Sequence, residues 1–115
     1  MPTIIISGRI PSKKNSRITT RSGMSFPSKN YKEWHTDASW QLKNFKDKIP
    51  TGTHLLLKFY MPDNRKCDLT NKAESIMDCL VDNGFLEDDS WQIIPVLTLQ
   101  FQEVDKINPR CEIVW

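Results

Sequence analysis

Seven carboxylates lie within residues 67–91, and the single lysine of that segment is Lys72. Carboxylates about 4 Å apart repel one another by roughly 4 kcal/mol at an effective dielectric constant near 20, so a cluster of them needs protons or a cation. Oxygen ligands favour Mg²⁺ or Mn²⁺, and the loop spacing of an EF-hand calcium site is absent from the sequence. A divalent cation held by acids beside a cationic segment is suited to phosphodiester chemistry, because it activates a water and neutralises charge in the transition state.

The positions of these acids depend on a helix that the apolar spacing predicts over residues 70–83. At 100° per residue its apolar residues form a core stripe, and its polar residues gather within about 80° of each other on the opposite side. Like-charged pairs four residues apart, and acids at the negative end of the helix dipole, each cost roughly 0.2–1 kcal/mol. A solvent-exposed face is the simpler interpretation of these acids, whereas a metal site requires the next strand to pack beside the helix. The core stripe is Ala73, Ile76, Met77, Leu80 and Val81, and the polar side is Asn71, Glu74, Asp78 and Asp82.

Acids on both flanks of this helix extend the candidate site. Asp68 lies at or near the predicted N-cap, and Asp88 and Asp89 follow the turn expected at Gly84. We therefore predict a site for Mg²⁺, with Mn²⁺ as the alternative ion, and assign Asp82 to the solvent face. The predicted metal ligands are Asp68, Glu74, Asp78, Asp88 and Asp89.

Positive charge is concentrated in the first part of the chain, although the net charge is only +2. Residues 1–48 carry ten Lys or Arg against three acids, and residues 9–32 carry seven with no acid. Such a segment is suited to following a phosphate backbone, and the alternative is a solvated loop that serves solubility. The candidate phosphate contacts are Lys13, Lys14, Arg17, Arg21, Lys29 and Lys32, with Arg65 and Lys66 close to the predicted site.

The remaining pattern predicts one α/β domain over residues 1–115, an α+β arrangement with a mixed sheet of about four strands and two main helices. Ser28 is the expected cap of the first helix, and Gly84 is the expected C′ residue of the second. Pro95 predicts a bulge or an edge near the start of the third strand. The predicted strands are 3–10, 53–61, 91–104 and 111–115, the helices are 28–48 and 70–83, and residues 11–27 form a long loop or a loose hairpin.

The composition is typical of a folded domain, because hydrophobic residues make up 38% of the chain and charged residues 26%. The longest apolar run near the start, residues 4–6, is too short for a signal peptide or a membrane span, so no membrane partner is expected. Cys67, Cys79 and Cys111 lack C-x-x-C spacing and are expected to be reduced thiols of a cytoplasmic protein.

Residues 68–89, DLTNKAESIMDCLVDNGFLEDD, resemble the signature of the RusA family of Holliday junction resolvases. That signature is D-L-D-N, a lysine three positions on, an Asp before an apolar pair, a Gly and a closing D-D. The resemblance implies a Mg²⁺-dependent endonuclease, often encoded by phages or prophages. As a homodimer, such an enzyme nicks four-way DNA junctions symmetrically in recombination and repair. It also implies that Asp68 and Asp89 are essential acids. The matching positions are Asp68, Leu69, Asn71, Asp78, Leu80, Gly84, Asp88 and Asp89.

Two positions depart from the signature, since Thr70 replaces its second Asp and Glu74 replaces its lysine. Thr70 and Glu74 are four residues apart on the helix, so we hypothesise that Glu74 restores the missing carboxylate and Lys72 supplies the missing cation. The predicted catalytic residues are therefore Asp68, Asp89, Glu74 and Lys72. The alternatives are an inactive module of the same fold that binds branched DNA, and an interaction protein whose acidic helix binds a basic partner.

Overall fold

The computed structural model of the protein describes residues 2–12, 17–19 and 25–115. A four-stranded sheet has the order β1-β6-β4-β5, in which β4 and β5 are parallel and the other neighbours are antiparallel. A second, two-stranded sheet pairs β2 with β3 and confirms the loose hairpin predicted in residues 11–27. The elements are β1 Thr3–Ser7, β2 Arg17–Thr19, β3 Ser25–Pro27, α1 Lys29–Leu42, β4 His54–Met61, α2 Leu69–Asp82, β5 Val96–Val104 and β6 Arg110–Val114. The predicted α+β fold with a mixed four-stranded sheet and two main helices is confirmed.

The core lies on one face of the four-stranded sheet, where the buried side chains of the strands pack against the apolar faces of the helices. Every second residue of β4, from Leu55 to Met61, is buried, as period-2 patterning requires of a strand that is covered on one side. The helices bury apolar side chains against these strands, among them Trp34, Ala38, Ile76 and Leu80. Within the described part of the chain, no helix has the length and apolar character that a membrane span requires.

Helix α1 begins as predicted and ends six residues earlier than predicted. The Ser28 hydroxyl accepts a hydrogen bond from the Tyr31 backbone N–H at 3.2 Å and caps the helix. After Leu42 the chain tightens into a turn, in which the Phe45 N–H bonds to the Leu42 carbonyl. Phe45 and Ile49 still pack on the core, and the Ile49 N–H bonds to the Phe85 carbonyl. Their helical spacing therefore reflects burial outside the helix, so the predicted end at residue 48 was wrong.

Helix α2 ends in a Schellman motif that fixes the path of the chain toward Asp88 and Asp89. Gly84 has φ +76°, a backbone angle that favours glycine, and its N–H bonds to the Val81 carbonyl. The Phe85 N–H bonds to the Leu80 carbonyl at 2.9 Å, which completes the motif. Phe85 and Leu86 are buried, and they anchor the connection just before the two acids. The prediction of Gly84 as the C′ residue is confirmed.

Strand β5 is shorter than predicted and lies at an edge of the sheet. It begins at Val96, because residues 91–93 form a turn in which the Ile93 N–H bonds to the Ser90 carbonyl. Pro95 precedes the strand, and the register irregularity falls at the other end, opposite Phe59 and Tyr60. In the parallel register the helix-facing residues Leu55, Leu57 and Phe59 of β4 align with Leu97, Leu99 and Phe101 of β5.

Candidate functional site

Glu74 and Asp89 line one pocket, which lies between α2 and the helix-facing side of β5. Its volume is about 240 Å³, and Thr70 contributes to the same wall as Glu74. The parallel pairing of β4 and β5 produces this arrangement, since the connection through α2 returns the chain so that β5 runs beside the helix. Ala73, Met77, Leu97 and Leu99 complete the lining. An acid of the helix thus shares a pocket with an acid that follows the helix.

Asp68 and Asp88 lie on the two flanks of α2, and both are exposed. Asp68 is the N-cap residue, and its carboxylate accepts a hydrogen bond from the Asn71 side chain at 3.3 Å. Asp88 immediately precedes Asp89 in the segment that follows the buried Leu86. The pocket holds Asp89, the second acid of this closing pair.

Asp78 and Asp82 face the neighbouring helix α1. The Tyr31 hydroxyl donates a hydrogen bond to Asp78 Oδ2 at 3.2 Å, and His35 Nε2 lies 2.9 Å from Asp82 Oδ2. The burial of Tyr31 and the nearby negative charge of Asp78 raise the pKa of the phenol. Asp82 was assigned to the solvent face, and its carboxylate is half-exposed while it contacts His35. Asp78, predicted as a metal ligand, thus participates in the contact between the helices.

The five predicted ligands are not assembled into one cluster. Across residues 2–12, 17–19 and 25–115, no group of three or more His, Cys, Asp or Glu side chains is arranged to hold a metal ion. The pair of Glu74 and Asp89 nevertheless fits the usual binding of Mg²⁺, which takes one or two carboxylates and completes its shell with water and substrate phosphates. The all-oxygen donor set also matches Mg²⁺ or Mn²⁺.

Lys72 points away from this pocket. Its ammonium donates a hydrogen bond to the Ile10 carbonyl at 2.6 Å, and the side chain is half-buried. Burial lowers the pKa of this amine, because the charged form loses hydration. Next to it on the helix, the buried Ser75 hydroxyl donates to the Pro11 carbonyl at 2.7 Å. Both contacts fasten the segment after β1 to α2. The catalytic role predicted for Lys72 stays a prediction.

The predicted phosphate contacts of the first part of the chain are described only in part. Lys13, Lys14 and Arg21 lie outside the described residues, and Arg17 begins β2. Lys29 and Lys32 are exposed in the first turn of α1. The Lys29 ammonium lies 3.8 Å from the Glu33 carboxylate, a surface pair of small energetic weight.

Arg65 and Lys66 lie at a second pocket, of about 310 Å³, whose lining includes Leu69, Phe101 and Val104. Asp63 lines the same pocket and fixes the backbone there. Its carboxylate accepts hydrogen bonds from the Arg65 backbone N–H at 3.0 Å and from the Arg9 guanidinium at 2.7 Å. These two hydrogen bonds, the backbone one foremost, lower the pKa of Asp63. Both cations are exposed, and Arg65 Nε also lies 3.8 Å from the Asp63 carboxylate, so an anionic ligand would compete with this surface ion pair for Arg65.

The two pockets follow one another along α2 and β5, and we call them together the α2–β5 furrow. Its α2 wall runs from Leu69 to Met77, and its β5 floor is formed by Leu97, Leu99 and Phe101. Glu74 and Asp89 lie in one half, and Arg65 and Lys66 lie in the other. Phe101 is not among the site residues predicted from the sequence. The alternation of Leu97, Leu99 and Phe101 along β5 could have placed it on the helix-facing side of the sheet, where the helices cover this strand incompletely.

A family model matches nearly the whole chain, whereas no curated protein matches it. The family model of endodeoxyribonuclease RusA matches residues 8–114, which include every helix and strand except β1. The matched region contains α2, Asp68 and the pocket of Glu74 and Asp89. The chain therefore belongs to the RusA family of endodeoxyribonucleases.

Proposed function

We propose that this protein is a Mg²⁺-dependent endonuclease that resolves four-way DNA junctions by symmetric nicking. The observation that carries the proposal is the shared pocket of Glu74 and Asp89, in a chain of a family whose activity is Holliday junction resolution. Two carboxylates beside the helix-facing side of β5 supply oxygen ligands at a position open to a phosphate. The exposed Arg65 and Lys66 supply positive charge in the adjoining half of the furrow.

Glu74 and Asp89 would hold the ion, with Asp68 as a further carboxylate at the helix N-cap. When bound, Mg²⁺ would supply the polarisation of the scissile phosphate and the neutralisation of its developing charge. Arg65 and Lys66 would fix the neighbouring phosphates and hold the strand in register with the two acids. Hydrolysis adds water to phosphorus and breaks one P–O bond, which leaves a phosphate monoester and a hydroxyl at the nick.

The position of Glu74 supports the proposed exchange of carboxylates on α2. Thr70, which replaces an acid of the family signature, lines the same pocket as Glu74 and Asp89. A longer acidic side chain one helical turn later therefore has access to the space that Thr70 leaves open. Lys72 bonds to the Ile10 carbonyl, so Arg65 and Lys66 are better placed to supply positive charge.

We further propose that the active form is a homodimer that acts in the cytoplasm. A four-way junction presents two equivalent strands, and a two-fold dimer presents two equal sites to them. Sedimentation of the protein alone and with a junction tests this arrangement. A monomer that nicks one strand of each junction would contradict it.

A nicking assay on a synthetic four-way junction, against duplex and flap DNA of matched sequence, tests the proposed activity. We expect paired nicks in the junction that require Mg²⁺ or Mn²⁺, and little cleavage of the duplex. Asp89→Asn should abolish nicking, whereas Asp82→Asn, an acid outside the pocket, should not. Cleavage of all three substrates at equal rates, or cleavage in EDTA, would contradict the proposal.

The second candidate is a non-catalytic module that binds branched DNA. Thr70 in place of an acid, and the separation of Asp78 from Glu74 and Asp89, favour this candidate. It predicts tight junction binding without cleavage under any divalent ion. The same assay, run beside a binding measurement, separates the two candidates.

A further inference from the structure

Phe101 lies on the floor of the α2–β5 furrow and is only partly covered by neighbouring side chains. It is 53% exposed, although Leu57 and Phe59 of the adjoining strand are buried on the same face of the sheet. The reason is geometric, because α2 packs beside β5 but covers this edge strand incompletely, so Leu99 is partly buried while Leu97 and Phe101 stay exposed. Burial in the core therefore does not account for an aromatic residue at this position.

The chemistry around Phe101 indicates a ligand that is both aromatic and anionic. Arg65 and Lys66 line the same pocket as the phenyl ring and are exposed. Next to it, Leu99 and Leu97 lead to the pocket of Glu74 and Asp89. From Leu97 to Phe101 the strand covers about 13 Å, which corresponds to a few nucleotides of one strand. An apolar floor flanked by cations complements nucleobases joined by phosphates.

We propose that the α2–β5 furrow binds a single strand of DNA next to the scissile phosphate, and that Phe101 stacks on an unpaired base of that strand. This inference rests on the proposed function and deepens it. Both faces of a base inside an intact duplex are covered by its neighbours, so Phe101 reaches a base only where the stack is interrupted. An opened four-way junction offers base faces without a stacked neighbour at its branch point, and flaps and forks offer unpaired bases. Phe101 therefore contributes to the selection of branched DNA over duplex.

Stacking and phosphate contact have separable signatures. A stacked base contributes affinity with little dependence on salt, whereas each phosphate contact adds to the slope of log K against log salt. Phe101→Ala should weaken binding to a junction and to a short single strand by about 5- to 150-fold. It should leave duplex binding and the salt slope unchanged. Arg65→Ala should instead reduce the salt slope by about one.

Equilibrium binding of labelled junction, single strand and duplex, measured in EDTA so that no cleavage occurs, tests the proposal. Val96→Ala is the matched control, since Val96 lies on the same strand with a similar exposure and on the opposite face of the sheet. Phe101→Trp should retain affinity because it keeps an aromatic face. Equal affinities of wild type and Phe101→Ala, or an equal loss for duplex and junction, would overturn the proposal.

Two further readouts separate the rival explanations. If Phe101→Ala converts a dimer to a monomer in sedimentation, the strip binds a second copy of the chain and the stacking proposal is overturned. Nicking is measured apart from binding, so the two proposals fail separately. Wild-type protein that nicks junctions while Phe101→Ala binds them normally would leave the nuclease assignment intact and refute stacking. Selective binding through Phe101 without any nicking would refute the nuclease alone.

Discussion

The Tyr31 hydroxyl donates a hydrogen bond to Asp78 Oδ2 at 3.2 Å and joins α1 to α2 through two side chains 47 residues apart. Tyr31 is buried, and its ring packs 5.9 Å from Trp34, centroid to centroid. Asp78, which the sequence predicts as a metal ligand, thereby forms a hydrogen bond that joins the two helices. The two helices are held in register beside the pocket of Glu74 and Asp89.

Loss of the Tyr31 hydroxyl should destabilise the protein without changing its fold. We expect Tyr31→Phe to lower the free energy of unfolding by about 1.5–3 kcal/mol, the range for a hydrogen bond to a charged group. Urea denaturation measures the change. Tyr60→Phe is the control, because its bond to Glu112 is longer, at 3.4 Å, and a smaller effect is expected there. An equal or larger effect at Tyr60 would contradict this explanation.

Stability should fall at alkaline pH. Burial raises the pKa of the Cys79 thiol from 9.0 to about 11, and it raises the pKa of Tyr31 from its ordinary 10.0. Above pH 9 the unfolded chain releases these protons while the folded chain keeps them, so unfolding becomes more favourable as pH rises. This stabilisation is complete below the unfolded-state pKa values and is lost as pH passes the folded-state ones. Denaturation curves between pH 8 and 11 test it, and Cys79→Ala should flatten the decline.

Lys72→Met separates a structural role of this residue from a catalytic one. The substitution removes the 2.6 Å bond to the Ile10 carbonyl and leaves that acceptor without its ammonium partner. We expect a loss of about 1–3 kcal/mol in the free energy of unfolding, with any loss of activity following the loss of folded protein. Unchanged stability together with abolished nicking would instead establish the catalytic role predicted from the sequence.

Glu74→Gln tests the exchange of carboxylates on α2. Loss of one of two carboxylates in the pocket should lower nicking about 100-fold or more and remove the stabilisation by Mg²⁺ in a thermal melt. Asp82→Asn serves as the control, since its carboxylate contacts His35 instead. Undiminished nicking by Glu74→Gln would rule out the compensating role.

Arg110 should tolerate replacement by lysine poorly. Its guanidinium donates to Asp105 at 3.0 Å and to Glu112 at 2.9 Å, and it stacks 3.6 Å above the Tyr60 ring. Lysine keeps the charge but loses the fork geometry and the planar stacking surface. We expect Arg110→Lys to lower the midpoint of urea denaturation. Arg65→Lys, at an exposed position, should cost much less, and equal losses would contradict the argument.

The sequence predicted the number, type and order of the main elements, because β4 and α2 have clear periods of two and 3.6 residues. It overextended α1, since Phe45 and Ile49 keep helical spacing while they pack on the core from the irregular segment that follows the helix. It predicted one locus for Asp68, an acid of α2 and the Asp88–Asp89 pair, and of these Glu74 and Asp89 line one pocket. It did not predict the partner of Asp78, because helical spacing places Tyr31 in the core without saying which side chain of α2 its hydroxyl meets. Nor did it place Lys72, whose partner is a backbone carbonyl.

The edge position of β5 has a consequence for amide hydrogen exchange. Strand β5 pairs with β4 alone, whereas β4 pairs on both sides and β6 joins β1 to β4. Local opening of β5 breaks the backbone hydrogen bonds to one neighbouring strand, whereas opening of β4 breaks those to two. The amides of β5 should therefore exchange with deuterium at a lower free energy of opening than those of β4. The floor of the α2–β5 furrow would then belong to a strand that is less protected than its neighbour β4. A DNA strand bound there should slow that exchange.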